Sequence, residues 1–492
     1  MHSSNARIGA AVAAAEGRLP SRASDRIYNS FAGLMFTQIA LAGAIWTVLV
    51  GGMLPYAGEL SIGIAGFVSG TVLGMGPVIL GAAMPSFRHG VDVMDMSKVV
   101  LGTRGVIVAL AGFTVMSLGW AAVGLAMICR GISEIPANAG YVDAAGVESL
   151  APIVGFLSIA LSFVLLRRGV GLIQRLNNLI GPVLMIFTLW SLALLLHEFG
   201  PGELLESKVP AEQVLTTTRH MTFGYGFEFG VTMAMAWYPY MGALFRLVKS
   251  PRHIVGPTML GGALMGICFT VIVSAVAAAH FGSPDPAVWF VRLAGPFVGS
   301  SVVIAVLLLS LAAICIVVYV SAIAAQQYRA LAGISWSFLL AIILAPLTVV
   351  VMNTSWVLAH VMTFATFGGL IFFSLAGVMI TDIWILRRGQ LTVAHLFVHD
   401  RSSHYWYWGG FNWFAIVVVA AGVALYLAMY DPITMRTGVA FGPFGAALPV
   451  LLASGSCYYI FAKLFVMRSG RGGYLPRPEG TPGTTVVLRV GL

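Results

Sequence analysis

His220 to His253 reads HMTFGYGFEFGVTMAMAWYPYMGALFRLVKSPRH, and the fold turns on how that stretch is read. It is long enough to cross a bilayer, which takes about 20 mostly apolar residues. It is nonetheless a poor continuous helix. Gly224, Gly226 and Gly230 each weaken a helix interior by roughly 1 kcal/mol relative to alanine, and Pro239 removes a backbone donor. Glu228 adds a carboxylate that by position falls inside the membrane. An acid at mid-helix costs roughly 2.5–3.5 kcal/mol there and usually faces a cavity or a partner. A broken helix is tolerated in lipid only where its freed peptide groups meet protein or water. The expectation is the discontinuous helix of a solute transporter, with the solute bound beside the break. The plainer alternative is an ordinary span with small residues for close helix packing and one proline kink.

The rest of the chain fits a membrane protein. Of its 492 residues 59% are hydrophobic and 9% charged, with a mean hydropathy of +0.92, against about 25% charged in a soluble domain. A net charge of +9 and a pI near 9.5 would suggest nucleic acid in a soluble chain. Here the basic residues gather in the loops between apolar runs, so the expected surroundings are a lipid bilayer and no nucleic acid. Cys129, Cys268, Cys315 and Cys457 lie within or at the ends of apolar runs, without metal spacing or a disulfide framework. Residues 1–28 lack the apolar core of a cleavable signal and read as a tail. The Gly- and Pro-rich end, 469–492, reads as a disordered tail.

Apolar runs bounded by charges and turn residues give an all-α polytopic protein of about twelve spans. They lie at 31–54, 61–84, 104–129, 149–166, 173–197, 221–247, 254–280, 299–325, 333–351, 355–385, 410–429 and 440–466. With the N-terminus inside, 22 of the 27 Lys and Arg fall in inner segments, which places both termini in the cytoplasm and the chain in the cell membrane. Two connecting stretches stand out. Phe87 to Gly102 is amphipathic and inside, and reads as a helix lying on the lipid. Pro284 to Gly295 is outside and reads as a surface helix or thin gate.

Several segments, in order, resemble the nucleobase–cation symporter family 1, permeases for cytosine, uracil, allantoin, hydantoins and related rings. Trp237 to Arg246 (WYPYMGALFR) is similar to that family's block at the inner end of its sixth helix, and Gly377 to Arg388 (GVMITDIWILRR) to the end of its tenth. Phe411 to Ala415 (FNWFA) resembles the start of the eleventh, Gly169 to Asn178 the connection between the fourth and fifth, and Trp46 with Gly51 and Gly52 the first. The resemblance implies two five-helix inverted repeats, 29–197 and 198–388, followed by two further helices in 389–468. It also implies breaks in helices one and six, with helices three, eight and ten completing the site. Transport would be coupled to Na⁺ or H⁺ by alternating access. The chain departs from the family at Ala243, usually Asp, at Gly124, a Gln in some members, and along Ser310 to Ser321, which lacks the usual Thr-Asn pair.

A flat heterocycle needs aromatic faces to stack on and a few donors and acceptors for its edge. Depth along the spans selects Gln38, Gly43, Ala44, Trp120, Gly124, Glu228, Gly230, Ala234, Trp237, Phe364 and Phe367 as candidate substrate contacts. Trp120 is the first choice for stacking, and Phe364, Phe367, Phe372 and Phe373 for a lid. Glu228 and His360 are candidates for moving a coupling proton, and Ser310 and Ser321 for holding an ion. If Na⁺ binds, backbone oxygens near Ala42 and the hydroxyl of Ser310 would be its hard ligands. Each choice competes with a structural role: an indole in core packing, a long amide tying two helices, a lone histidine at a helix end. An amino-acid or polyamine permease of the same fold is the second reading. A membrane enzyme or haem subunit would need paired in-membrane histidines or a nucleophile motif, and ATP-driven transport a phosphate-cradling loop; none occurs here. No cofactor is expected beyond the coupling ion, and the number of chains in the assembly is not legible.

Overall fold

The computed structural model describes residues 20–474, apart from 22, 23, 25, 139, 140, 329, 330 and 332. The expected N-terminal tail before residue 20 and the last residues of the C-terminal one lie outside that set. In chain order the principal helices are α1 (Phe31–Ala42), α2 (Ile45–Met53), α3 (Leu60–His89), α4 (Val93–Leu101), α5 (Val106–Asn138), α6 (Ala144–Arg167), α7 (Val170–Glu198), α8 (Arg219–Met235) and α9 (Tyr238–Phe245). They continue with α10 (Pro251–Phe281), α11 (Pro286–Ala325), α12 (Trp336–Val351), α13 (Thr354–Ala359), α14 (Val361–Ile380), α15 (Trp413–Met429) and α16 (Ala447–Phe461). Among the described residues eight helices are long and apolar enough to cross a membrane, or nine if the bent pair α1–α2 is one span. The pair α8–α9 and the shorter α12 and α15 stand where the other expected spans were drawn.

The glycines of the opening stretch do not break their helix. α8 runs unbroken through Gly224, Gly226 and Gly230. Gly226 and Gly230 let α8 and α3 touch backbone to backbone, while Gly224 lies against Gly442. A Cβ added at Gly226 would lie 2.2 Å from the carbonyl oxygen of Gly63, and one at Gly230 2.2 Å from that of Phe67. From the other side, Gly70 would meet the oxygen of Phe227 at 2.1 Å and Gly66 that of Phe223 at 2.3 Å. Small residues serve in lipid to bring helices this close, where van der Waals contact must replace the hydrophobic drive. Gly230 and Ala234, chosen above as substrate contacts, therefore face α3; Ala234 packs on Gly74.

Glu228 is also turned away from the expected solute. Its carboxylate is buried and accepts bonds from Tyr426 Oη of α15 at 2.7 Å and from the backbone N–H groups of Ala446 and Ala447 at 2.6 and 3.0 Å. Thr232 Oγ1 donates at 3.4 Å. The acid thus caps the start of α16, where free N–H groups and the helix dipole favour negative charge. It ties the outer part of helix six to the last two helices.

Phe87 to Gly102, expected as a helix lying on the lipid, is enclosed by protein instead. Every residue of α4 is buried. Asp92 caps its start through Met94 N at 3.1 Å, and Lys98 pairs with Asp95 at 2.6 Å. Its end is held by Asn412, whose Nδ2 donates to Val100 O at 2.7 Å and whose N–H donates to Leu101 O at 2.8 Å. The expected disordered tail is likewise ordered at its beginning. Gly472 O accepts from Arg387 Nη1 at 2.6 Å, and Tyr474 donates to Asp382. Arg387 and Asp382 form a buried ion pair at 2.5 Å that Tyr458 also joins. Charged side chains stay this buried only when paired and bonded. Pro284 to Gly295 forms a helical arm that turns at Gly295 (φ 79°) into the eighth span, with its Trp289 buried.

Two outcomes are expected. Glu228→Ala leaves the Tyr426 hydroxyl and two peptide N–H groups without their acceptor, each worth about 1–3 kcal/mol. Its thermal unfolding temperature in detergent should fall clearly, with Glu228→Gln in between; an unchanged value would show the tie to be idle. Burial and then Asp95 push Asp92 up to about 7, against the pull of Arg246 and of the N–H groups of Met94 and Val93. A raised carboxyl favours the folded state at low pH, and that contribution is lost as pH rises from about 4 to about 7. Asp92→Asn should flatten the stability profile over that window, read as unfolding temperature against pH.

Candidate functional site

The site forms where two helices stop at mid-depth. α1 ends at Gly43 (φ −89°, ψ 13°), Ala44 is extended (φ −68°, ψ 170°), and α2 leaves at a 56° bend. The freed groups find partners. Ile45 N–H donates to Ser310 Oγ at 3.0 Å, which itself donates to Val306 O at 2.7 Å, and Thr47 Oγ1 donates to Ala42 O. A cavity of about 20 Å³ beside Gly43, also lined by Thr188, Thr270 and Ser274, has room for about one water. The second break is milder. α8 stops at Met235 and α9 begins at Tyr238, but Ala236 and Trp237 keep near-helical angles (φ −57°, ψ −23° and φ −83°, ψ −13°). The turn tightens, with Trp237 N–H donating to Ala234 O at 3.1 Å, and Pro239 supplies no donor to the next turn.

Three indoles converge between the breaks. Trp46 on α2 lies with its ring centre 6.2 Å from that of Trp120 on α5 and 6.3 Å from that of Trp237, inclined 63° and 51°. Trp237 meets Tyr240 at 5.9 Å, and Tyr240 meets Phe113 at 5.2 Å and donates to Ser117 Oγ at 3.1 Å. These are the tilted and edge-on arrangements that aromatic pairs prefer. The ring nitrogens Nε1 of Trp120 and Trp237 are buried without an acceptor among the described residues. A buried donor without a partner is costly, so two unanswered N–H groups in an aromatic recess favour a ligand that carries acceptors.

Of the expected contacts, the structure brings Gly43, Ala44, Trp120, Gly124 and Trp237 together, with Gly124 against Trp46. Gln38 is buried one helical turn before the break, and its Nε2 donates to Met241 Sδ at 3.5 Å, so it bridges helices one and six. Ser310 reaches the break but its hydroxyl caps Ile45. Ser321 lies about three turns further along α11 and bonds only to Val317 O, at 2.7 Å. Ala42 packs against Gly266, and its carbonyl is taken by Thr47. His360 is exposed at the joint of α13 and α14, stacked on Trp356 with Nδ1 2.8 Å from Trp356 O. Phe367 is exposed, and Phe364 lies outside the residues whose side chains are described. Phe372 and Phe373 are buried against Tyr238 and Tyr426, as packing rather than a lid. Trp46 and Tyr240 were the contacts that depth alone did not select; a tryptophan two residues past a Gly-Ala step was the available signal.

No match was found among curated protein sequences. Among solved structures the chain is similar to Mhp1, a nucleobase-cation-symport-1 family transporter, in a closed conformation with bromovinylhydantoin bound. That likeness has a TM-score of 0.72 at 16% identity, covering 93% of this chain and 99% of that one. Inward-facing Mhp1 matches with a TM-score of 0.69 at 18% identity, covering 94% and 97%. A Na⁺-coupled sialic acid symporter in a substrate-bound outward-open state follows with 0.56 at 12%, covering 93% and 95%. Residues 40–453 match the pattern of one sequence family over most of the chain. The protein is therefore a multi-pass membrane protein that belongs to the family of permeases for cytosine/purines, uracil, thiamine and allantoin.

Proposed function

We propose that this permease is a symporter that imports a small, flat heterocyclic solute, bound between Trp120 and Trp237 beside the two helix breaks. The observation that carries the reading is the aromatic recess itself: three indoles at mid-depth, two of them with buried N–H groups lacking acceptors. Trp46, Trp120, Trp237, Tyr240, Phe113 and Ser117 carry no charge, which suits a neutral ring and disfavours an amino acid or polyamine. Bromovinylhydantoin in Mhp1 is a ligand of that type. Transport proceeds by alternating access, with a bundle of helices rocking against a scaffold drawn from the repeats 29–197 and 198–388, and residues 389–468 beside them. Both termini lie in the cytoplasm and the chain sits in the cell membrane, as the excess of basic residues in the inner segments argues.

Coupling is to H⁺ or Na⁺. The sialic acid symporter of similar fold uses Na⁺. Here Ser310 Oγ and Ala42 O, the oxygens expected to hold the ion, both have protein partners. A Na⁺ ion at this point would have to displace the Thr47 bond or share its oxygen.

The test is a thermal-shift screen of flat heterocycles on the purified protein in detergent, with and without Na⁺. At least one oxo-substituted ring should stabilise the protein. Trp120→Ala and Trp237→Ala should each weaken that ligand about tenfold, the worth of one aromatic contact. Loss of stability with ligand affinity unchanged would assign both indoles to packing, and a Na⁺-dependent shift would select the ion.

A further inference from the structure

The recess has a third wall. Position 124 is a glycine on α5, and the space beside it is taken by Trp46 from another helix. A Cβ at position 124 would sit 3.3 Å from Trp46 Cε3 and 3.1 Å from the side chain of Ile314. Contacts that tight force a neighbour to move, and both neighbours are buried, Trp46 to 3% exposure. Trp46 is also the ring that lies beside both of the others, 6.2 Å from Trp120 and 6.3 Å from Trp237 between ring centres. Its backbone is no softer. Ile45 N–H is bonded to Ser310, Thr47 to Ala42 O, and Ser274 to Val48 O, which pins the first turn of α2 on three sides.

We propose that Trp46 and Gly124 act as a pair that sets the size of ring this transporter accepts. The indole fills the notch left by the glycine and limits the recess to a single ring, excluding fused two-ring solutes. The proposal rests on the recess being the solute site, as argued above. It follows from volume: close-packed interiors leave no room for an added ring unless a side chain gives way. A hydrophobic wall discriminates between ligands chiefly by such exclusion.

The experiment uses the full-length chain in detergent, with uracil and hydantoin as single-ring probes and hypoxanthine as the fused one. The parent should bind at least one single-ring probe and be indifferent to hypoxanthine. Trp46→Ala should bind hypoxanthine about tenfold or more tightly than the parent does. Gly124→Leu should lose the single-ring probe, and Trp46→Ala/Gly124→Leu should regain it, because the leucine then has the space the indole left. Trp46→Leu carries the same expectation should the alanine variant not fold. A parent that binds hypoxanthine as well as the single-ring probe overturns the proposal. So does a folded Trp46 variant with unchanged ring preference, and either result leaves the transport reading standing. A folded parent that binds neither class overturns the heterocycle reading, and this proposal with it.

Discussion

No peptide group inside a bilayer can be left without a partner, and the whole site depends on how one exposed pair is met. At the break between α1 and α2 the Ile45 N–H is answered by Ser310 from α11, and the Ala42 carbonyl by Thr47 from the next turn. Those two bonds make an extended residue at Ala44 tolerable at mid-depth. They also fix the direction in which α2 departs, and with it the place of Trp46. Without them the chain would favour one straight helix, and Trp46 would not meet Trp120 and Trp237.

Helix six is treated differently along its length. Its outer part is held along one side by the glycine contact with α3 and along another by the Glu228 cap on α16. The cap and the glycine contact end before Ala236, where the helix tightens into a turn, and beyond it Tyr238 Oη still donates to Gly81 O of α3 at 3.3 Å. At the other end α4 is held by Asn412, Tyr407 and Arg387, and Arg387 in turn pairs with Asp382 and donates to Gly472 of the strap from Ser469 to Tyr474. A floor built from buried, mutually bonded polar groups is rigid, because removing any one partner leaves another unsatisfied.

Much of this was legible beforehand. Long apolar runs can only be spans, so the membrane class and the span positions followed from hydropathy, and the break in helix one fell where depth placed it. Trp120 and Trp237 were found because an indole at mid-depth is a rare, chemically specific feature. Reasoning went astray where a residue had two uses that look alike in one dimension. Glycine loosens a helix, and it also lets two helices touch; at Gly226 and Gly230 only the neighbouring α3 decides which. A buried acid can carry a proton or cap a helix, and Glu228 met the first turn of α16 more than two hundred residues further on. The amphipathic pattern of Val93 to Leu101 describes a helix with two faces, but its polar side chains bond within the helix, Lys98 to Asp95 and Ser97 to Met94 O, and are buried instead of meeting water.

The sequence by itself determined that this chain lives in lipid, that two of its helices carry breakable points, and that aromatic and uncharged side chains crowd the middle. Those are properties of composition and local backbone chemistry, which each residue carries wherever it is placed. Only the tertiary structure decided which face of helix six meets the other indoles, that Gly124 makes room for Trp46, and that Glu228 belongs to the frame. Such outcomes depend on contacts between residues far apart in the chain, where a few tenths of an ångström between packed atoms select one arrangement over another.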